Sequence, residues 1–227
     1  MAQNSPHDLP DVQGLSIAVL GGTGDQGRGL ARRFALAGHE VILGSRSEER
    51  ARAAAAEFGA DLPVRGLDNE AAAAAGDVVV VAVPWDGHRE LLESLRGVLA
   101  GKIVVDCVNP LGFDKQGAFA LPVEEGSAAQ QAAAVLPESR VVGAFHHISA
   151  VVLLDPEVAE VDLDVLVLGD DRASTDTVRA LAARIPGVRG IYGGRLRNAH
   201  QVEALTANLI SVNRRYKAHA GIRITDI

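Results

Sequence analysis

The 227-residue sequence has little of what marks secreted, membrane or nucleic-acid-binding proteins. Its single cysteine, Cys107, excludes an internal disulfide and indicates a reducing, cytoplasmic setting. No apolar run approaches the ~20 residues that a membrane-spanning helix needs. The polar residues 1–14 lack the apolar stretch of a secretory signal, so none is expected. A net charge of −7 argues against a nucleic-acid partner.

Lysine is scarce too. Most basic residues are arginines, whose planar guanidinium suits phosphate and carboxylate groups, and the lysines are Lys102, Lys115 and Lys217. Hydrophobic residues make up 48% and charged residues 22%, which is typical of globular proteins. A chain of this length can bury about 70% of its unfolded surface, so it needs no disulfide or metal to fold.

Short apolar runs alternate with helical periodicity through the first half of the chain. The expected strands are 15–20, 40–44, 77–83 and 102–106, and the expected helices are 26–36, 47–58 and 86–99. The run from Val78 to Val83 is continuously apolar, as in a strand buried on both faces of a parallel sheet. This alternation predicts an α/β fold with a Rossmann-type doubly wound parallel sheet.

The second half is less regular. It predicts strands over 140–145 and 163–168 and helices over 174–185 and 198–216. The last helix carries a stripe at 3-4-3 spacing that would pack against a neighbour, within the chain or across a dimer: Val202, Leu205, Leu209 and Val212. We therefore predict a flexible N-terminal tail (1–14), a Rossmann domain (15–148) and a small C-terminal α+β domain (149–227).

A glycine-rich loop follows the first predicted strand and opens the first predicted helix. It holds the pattern Gly22-x-Gly24-x-x-Gly27, whose glycines permit a tight turn, backbone approach to a pyrophosphate and close helix–strand packing. The helix N-terminus then attracts phosphates. The alternative is a tight turn without a ligand. Asp25 argues mildly against a bound pyrophosphate. Its carboxylate would repel the phosphates unless it points away or accepts a hydrogen bond from the helix N-terminus.

The end of the second strand indicates which dinucleotide binds. An NAD-binding protein usually offers a carboxylate there for the ribose 2′-hydroxyl. This chain has Ser45 and Arg46, followed by Arg50, so a hydroxyl and two guanidiniums can hold a 2′-phosphate instead. The pattern favours NADP(H). The alternative is a solvated helix face on which these arginines pair with glutamates.

The sequence lacks the residues that several other catalytic mechanisms require. Neither tyrosine is followed by a lysine four positions later, which disfavours a short-chain dehydrogenase mechanism, and no nucleophile elbow or paired-cysteine metal site is present. Adjacent His146 and His147 would face opposite sides of a strand, so no metal site is expected. A lone strand histidine is more often a hydrogen-bonded core group. Even so, these histidines follow a strand that should end above the cofactor, so one could line its nicotinamide end.

Five segments together resemble the coenzyme F420-dependent NADP oxidoreductases. They are GGTGDQGRGLA from Gly21, GSR from Gly44, VPW from Val83, KIVVDCVNP from Lys102 and AFHHI from Ala144. The resemblance covers roughly residues 15–222. It implies reversible hydride transfer between NADP(H) and coenzyme F420, a homodimer, and a C-terminal domain that completes the deazaflavin site and the dimer contact.

The resemblance also implies roles for individual residues. Thr23, Gly24, Asp25 and Gln26 would hold the pyrophosphate, and Ser45, Arg46 and Arg50 the 2′-phosphate. Pro84 and Trp85 would lie beside the nicotinamide ribose, His146, Ile148 and Ala150 would line the contact between the two rings, and Thr206 would lie near the deazaflavin. His146 would position or polarise the ring, by side chain or backbone. Asn109 could donate its amide to a cofactor or initiate a turn, and Trp85 could be a plain hydrophobic plug.

The chain departs from the family pattern at Asp25, Asn109, His147, Ser149 and His200, which affects the deazaflavin site more than the NADP site. Two other functions stay open. One is an NADPH-dependent reductase of another acceptor, such as an imine or ferric ion. The other is a non-catalytic NADP-sensing module. The anionic tail of coenzyme F420 needs positive charge, and the candidates, which equally suit a solvated surface, are Arg195, Arg197, Arg214 and Arg215.

Overall fold

The computed structural model describes residues 8–227, which contain ten strands and eight α-helices. The strands are β1 (Ile17–Leu20), β2 (Val41–Ser45), β3 (Val64–Asp68), β4 (Val78–Val81), β5 (Ile103–Asp106), β6 (Leu111–Asp114), β7 (Gly117–Ala120), β8 (Arg140–Gly143), β9 (Leu163–Gly169) and β10 (Val188–Gly194). The helices are α1 (Asp25–Leu36), α2 (Glu48–Ala56), α3 (Asn69–Ala75), α4 (His88–Leu99), α5 (Ala128–Val135), α6 (Ala150–Leu154), α7 (Arg172–Ala183) and α8 (Ala199–Tyr216).

Eight strands form one sheet in the order β3-β2-β1-β4-β5-β8-β9-β10. The first six are parallel, β9 is antiparallel to β8, and β10 is parallel to β9. Strands β6 and β7 form a separate antiparallel hairpin. The chain order reverses between β1 and β4, and in open α/β sheets ligands bind at such a point, beyond the carboxyl ends of the strands. The expected doubly wound α/β fold is confirmed.

In the first half of the chain, the apolar runs, the helix cap and the helix stop form the structures that were predicted from them. Every residue of β1 and β4 is buried, as their continuous apolar runs predict. The Ser47 hydroxyl accepts a hydrogen bond from the Arg50 N–H and caps α2. Helix α1 ends before Gly38, whose φ of 91° suits a residue without a side chain.

The predicted strand over 140–145 is too long, since β8 ends at Gly143. Phe145 has a φ of 63°, in the left-handed region, where an extended strand cannot continue. Its buried ring packs edge-to-face on Phe34 at a centroid distance of 5.8 Å, which holds the backbone in this unusual conformation. His146 and His147 therefore lie in a turn, and the strand-alternation argument does not apply to them.

Helix α8 buries a different stripe from the one predicted. Val202 is buried, but Leu205 and Leu209 are only half-buried, and Val212 is 37% exposed. The residues that α8 does bury are Ala199, Val202, Glu203 and Ala207. Of its other apolar residues, Leu209 and Ile210 line a cavity.

The limits of the predicted domains stay predictions. Residues 1–7 of the expected tail lie outside the described residues, while Val12 is buried in the core. Strands β9 and β10, which follow the expected boundary at residue 148, extend the same sheet as β8. Between residues 8 and 227, no helix has both the length and the apolar character needed to cross a bilayer.

Candidate functional site

Two cavities open beyond the carboxyl ends of the parallel strands. The first, of about 580 Å³, extends from the glycine-rich loop to β2 and α4. Its lining residues are Gly21, Thr23, Gly24, Ser45, Arg46, Arg50, Asn69, Ala82, Val83, Pro84, Asp86, Gly87, Glu90 and Leu91. We call it the dinucleotide cavity. It lies at the reversal point of the sheet, where this fold binds ligands.

The glycines of the loop differ in what surrounds them. A Cβ on Gly27 would lie 2.6 Å from the Gly21 carbonyl oxygen, and one on Gly22 would lie 2.9 Å from the Val19 carbonyl oxygen, so backbone packing requires both. A Cβ on Gly24 would meet no described atom closer than 3.5 Å. The space beside Gly24 is thus open at the start of α1, where N–H groups lack helical acceptors and attract anions.

Positive charge gathers at the far end of the dinucleotide cavity. Within residues 8–227, neither the Arg46 nor the Arg50 guanidinium forms an ion pair, whereas Arg52 on the same helix pairs with Glu48 at 2.6 Å. Asn69 adds a buried carbonyl oxygen that has no hydrogen-bond partner among the described residues. Two unpaired guanidiniums beside the hydroxyl-bearing end of β2 fit a ribose 2′-phosphate. The residues present therefore fit NADP(H).

The second cavity, of about 390 Å³, adjoins the first and lies between the sheet edge and α8. Its lining residues are Gln26, Ala82, Val83, Pro84, Trp85, Cys107, Val108, Asn109, His146, His147, Ile148, Ser149, Thr206, Leu209, Ile210, Asn213 and Ala220. We call it the ring cavity. Ala82, Val83 and Pro84 line both cavities, so a ligand that fills the first can place its end in the second.

The segment after β8 is held from three elements. The Asn109 Nδ2 donates to the His146 carbonyl oxygen at 3.2 Å, and the Thr206 hydroxyl donates to the same oxygen at 3.4 Å. His147 Nε2 lies 2.6 Å from the Val202 carbonyl oxygen on α8. The Gln26 Nε2 donates to the Phe145 carbonyl oxygen at 3.4 Å. The backbone of 145–147 is thus fixed between α1, the loop after β5, and α8.

The imidazole of His146 is neutral near pH 7. Burial lowers the pKa of His146 to about 4, and the nearby Asp106 carboxylate raises it too little to compensate. The Cys107 backbone acts in the same direction as Asp106, and His147 adds to the lowering. A neutral imidazole cannot act as a general acid at neutral pH, so a role for this residue is one of position.

A buried ion pair lies beneath the ring cavity. His88 Nε2 is 2.6 Å from an Asp106 carboxylate oxygen, His88 Nδ1 is 3.0 Å from the Gln131 side-chain oxygen, and both charged side chains are fully buried. Burial alone would lower the pKa of His88, but the Asp106 carboxylate and these hydrogen bonds outweigh it and raise that pKa. The His88 ring also packs on Trp85 at a centroid distance of 5.5 Å. The pair supports one wall of the ring cavity.

His88→Ala should lower the free energy of unfolding by about 3 kcal/mol at pH 6, because it leaves the Asp106 carboxylate buried without its partner. His88 has a raised pKa in the folded state, so its charged form contributes stability that is complete below the unfolded pKa of about 6.5. That stability is lost as the pH rises through the folded pKa. Urea unfolding from pH 5.5 to 9 should show the difference between wild type and variant shrinking with pH.

His39→Ala controls for the loss of a buried ring, since His39 contacts the Leu15 carbonyl oxygen and, among residues 8–227, no carboxylate. A difference between wild type and His88→Ala that grows with pH would contradict the charged pair.

Comparison with known proteins shows the family to which this chain belongs. The sequence profile described as "NADP oxidoreductase coenzyme F420-dependent" matches residues 16–110. The F420-dependent NADP reductase of Methanothermobacter thermautotrophicus is 44% identical, with 95% of this chain and 97% of that protein covered. The corresponding protein of Methanocaldococcus jannaschii is 40% identical, with 94% and 99% covered. The chain belongs to this family.

A crystal structure leads to the same family. The protein, from Arthrobacter sp. FB24, is provisionally named an F420-dependent NADP-reductase and superposes with a TM-score of 0.80 at 31% identity, covering 94% of this chain and 100% of that one. Together with the sheet order, this supports the Rossmann-type fold.

The predicted site residues of this family member fall into three groups. In the dinucleotide cavity lie Thr23, Gly24, Ser45, Arg46, Arg50 and Pro84, and in the ring cavity lie Gln26, Pro84, Trp85, Asn109, His146, Ile148 and Thr206. Gly22 and Gly27 shape the loop from behind, and Asp25 is exposed at the start of α1. Ala150 lines neither cavity, and its carbonyl oxygen lies 3.5 Å from a Cβ built on Gly29. The roles of all these residues stay predictions.

Several lining residues were not predicted as site residues, although Leu209 belongs to the stripe predicted on the last helix. Asn69 follows β3, a strand that was not predicted. Leu209, Ile210 and Asn213 are three to seven positions after Thr206, which is the spacing of one helix face. Extending the helical periodicity from Thr206 would have found them. Glu203, a single acidic residue among the buried positions of α8, was also missed.

Proposed function

We propose that this protein transfers a hydride reversibly between NADP(H) and coenzyme F420. The observation that carries the proposal is the junction of the two cavities: a phosphate-binding dinucleotide cavity runs into a ring cavity across Ala82, Val83 and Pro84. A nicotinamide at that junction would present its reactive carbon to a flat partner in the ring cavity. F420-dependent NADP reductases at 40–44% identity over most of the chain support the same activity.

The two coenzymes supply the redox chemistry when bound, so the protein needs no nucleophile or obligate base. Its side chains bind, orient and exclude water. Thr23, Gly24 and the start of α1 would hold the pyrophosphate, and Ser45, Arg46 and Arg50 the 2′-phosphate. Trp85 and Ile148 supply apolar surface, which dehydrates the space between the rings.

His146 acts in this proposal as a positioning group. Its carbonyl oxygen is fixed by Asn109 and Thr206, and its neutral imidazole lines the ring cavity. The backbone of 145–148 thus forms a preorganised wall against which a planar deazaflavin can pack. Correct placement of two reacting carbons is worth several kcal/mol of activation free energy.

We also propose that the protein is a homodimer, as the family resemblance implies. Large apolar side chains are exposed on the β6–β7 hairpin and at the end of α8, namely Phe113, Phe119, Val212 and Tyr216. Exposed apolar side chains of this size are candidates for a surface that a second copy of the chain covers.

The assay that tests the function mixes the purified protein with NADPH and oxidised coenzyme F420. Loss of the deazaflavin absorbance, and its return with NADP⁺ and reduced F420, is the expected result. Parallel assays with a cyclic imine and with a ferric chelate distinguish a reductase of another acceptor. Tight NADPH binding without turnover of any acceptor would instead identify an NADP-sensing module.

A further inference from the structure

We propose that Glu203 is a positioning residue: its carboxylate fastens α8 to the start of α5 and so fixes the segment 145–147 at the ring cavity. The inference builds on the proposed function, because it concerns the wall against which the deazaflavin would pack. Glu203 itself lines neither cavity. It would therefore act only through the residues beside it on α8.

The contacts of Glu203 are those of an anchor. The side chain is 2% exposed, and its two carboxylate oxygens accept the Ala128 N–H at 2.8 Å and the Ala129 N–H at 3.1 Å. These N–H groups are in the first turn of α5, where they have no helical acceptor and where a negative charge is favourable. Ser127 caps the same turn by accepting from the Gln130 N–H. One carboxylate thus joins two helices through contacts that span 75 and 74 residues of sequence.

Neighbouring residues on α8 connect Glu203 to the ring cavity. The Val202 carbonyl oxygen lies 2.6 Å from His147 Nε2, and the Thr206 hydroxyl donates to the His146 carbonyl oxygen. Val202 and Thr206 are four residues apart, hence on one side of the helix. A shift of α8 by 1 Å would change both contacts with the 145–147 backbone together. Helix α5 also holds the opposite wall, because Gln131 bonds His88, which packs on Trp85.

The local electrostatics argue against a role in stability alone. Burial raises the pKa of Glu203 to about 7; the Ala128 and Ala129 amides and Ser127 act against that shift, and the Asp106 carboxylate adds to it. The charged groups facing Glu203 are Asp106 and its partner His88. An apolar side chain would avoid the cost of burying this carboxylate and is often the more stable choice. The presence of Glu203 is explained by the defined distance that its two carboxylate oxygens set between α5 and α8.

Glu203→Ala tests the proposal, with Asp171→Ala as the matched control. Asp171 is also a carboxylate at a helix start, accepting the Ser174 N–H at 2.8 Å on α7, but α7, unlike α8, contributes no residue to either cavity. Glu203→Ala should raise the KM for coenzyme F420 at least tenfold and leave the Kd for NADPH within twofold. Asp171→Ala should change neither constant by more than twofold, although it lowers the melting temperature.

Hydrogen exchange supplies a readout that needs no turnover. In the ligand-free protein, Glu203→Ala should speed amide exchange in residues 144–150, while exchange in the glycine-rich loop stays at the wild-type rate. Glu203→Gln keeps one acceptor oxygen of similar shape, so it should give intermediate values of both the KM and the exchange rate, and it replaces the alanine variant if that variant does not fold.

Three results would overturn the proposal: an unchanged KM with unchanged exchange, an equal loss of NADPH and F420 affinity, or the same KM increase in Asp171→Ala. A wild-type protein that binds NADPH but does not reduce F420 would refute the proposed function instead. In that case the exchange rates of residues 144–150 still decide the role of Glu203.

Discussion

Replacing Arg46 by alanine is expected to weaken NADPH binding at least tenfold and to leave NADH binding nearly unchanged. Arg46 and Arg50 line the dinucleotide cavity, and neither forms an ion pair within the described part of the chain, so both guanidiniums are available to a phosphate. A charge-assisted hydrogen bond contributes roughly 1.5–3 kcal/mol. Its loss corresponds to about ten- to a hundredfold in affinity. NADH lacks the 2′-phosphate and should not be affected.

The fluorescence of Trp85 measures this binding. It is the sole tryptophan of the chain and lines the ring cavity, so quenching on titration reports occupancy there. Arg52→Ala is the control, since Arg52 lies on α2 together with Arg50 but pairs with Glu48. The control should keep its NADPH affinity within twofold. Equal losses of NADPH and NADH in Arg46→Ala would show that Arg46 supports the fold and does not bind the phosphate.

The dinucleotide half of the site could be predicted because its signals are local in sequence. A buried strand, the glycines from Gly22 to Gly27 and a helix start follow one another directly, and each restricts the backbone by its own chemistry. The same holds for Ser45, Arg46 and Arg50, which follow one strand closely.

The ring cavity could be predicted only in part, because it joins segments distant in sequence. Its walls come from residues 82–85, 107–109, 146–149 and α8, with Gln26 and Ala220, and no local pattern predicts how closely these segments approach one another. The left-handed backbone at Phe145 is an example, since tertiary packing on Phe34 overrides the strand propensity of the apolar run before it. Strand β3 was missed because its residues, VRGLD, are neither continuously apolar nor regularly alternating.

The family resemblance supplied what local patterns could not. Thr206 was placed near the deazaflavin by resemblance alone, and the structure has its hydroxyl donating to the His146 carbonyl oxygen. Glu203, three residues earlier, carried no such expectation. The role of a buried carboxylate in a helix depends on which amides donate to it. For Glu203 these are the amides of Ala128 and Ala129, on a helix that was not predicted from the sequence.

Gly24→Ala is expected to raise the Kd for NADPH and NADH alike by about a hundredfold or more while the protein stays folded. Gly24 has φ −87° and ψ 161°, which alanine adopts readily, and its added Cβ would meet no described atom closer than 3.5 Å. Its cost in stability should be about 1 kcal/mol, for the poorer helix cap. The Cβ would instead fill the space through which the backbone approaches the pyrophosphate that both dinucleotides share. Tryptophan fluorescence titration and thermal unfolding together measure the two effects.

Gly27→Ala is the matched comparison, since its Cβ would collide with backbone atoms of Gly21 and Gly22 at 2.6 and 2.9 Å. Overpacking against rigid backbone costs about 1–3 kcal/mol or more, so this variant should lose several degrees of melting temperature that Gly24→Ala keeps. If Gly24→Ala bound NADPH like the wild type, the pyrophosphate would not lie against this loop, and the loop would be only a tight turn. If it weakened NADPH but not NADH, the two arginines, and not the glycine, would control access to the dinucleotide cavity.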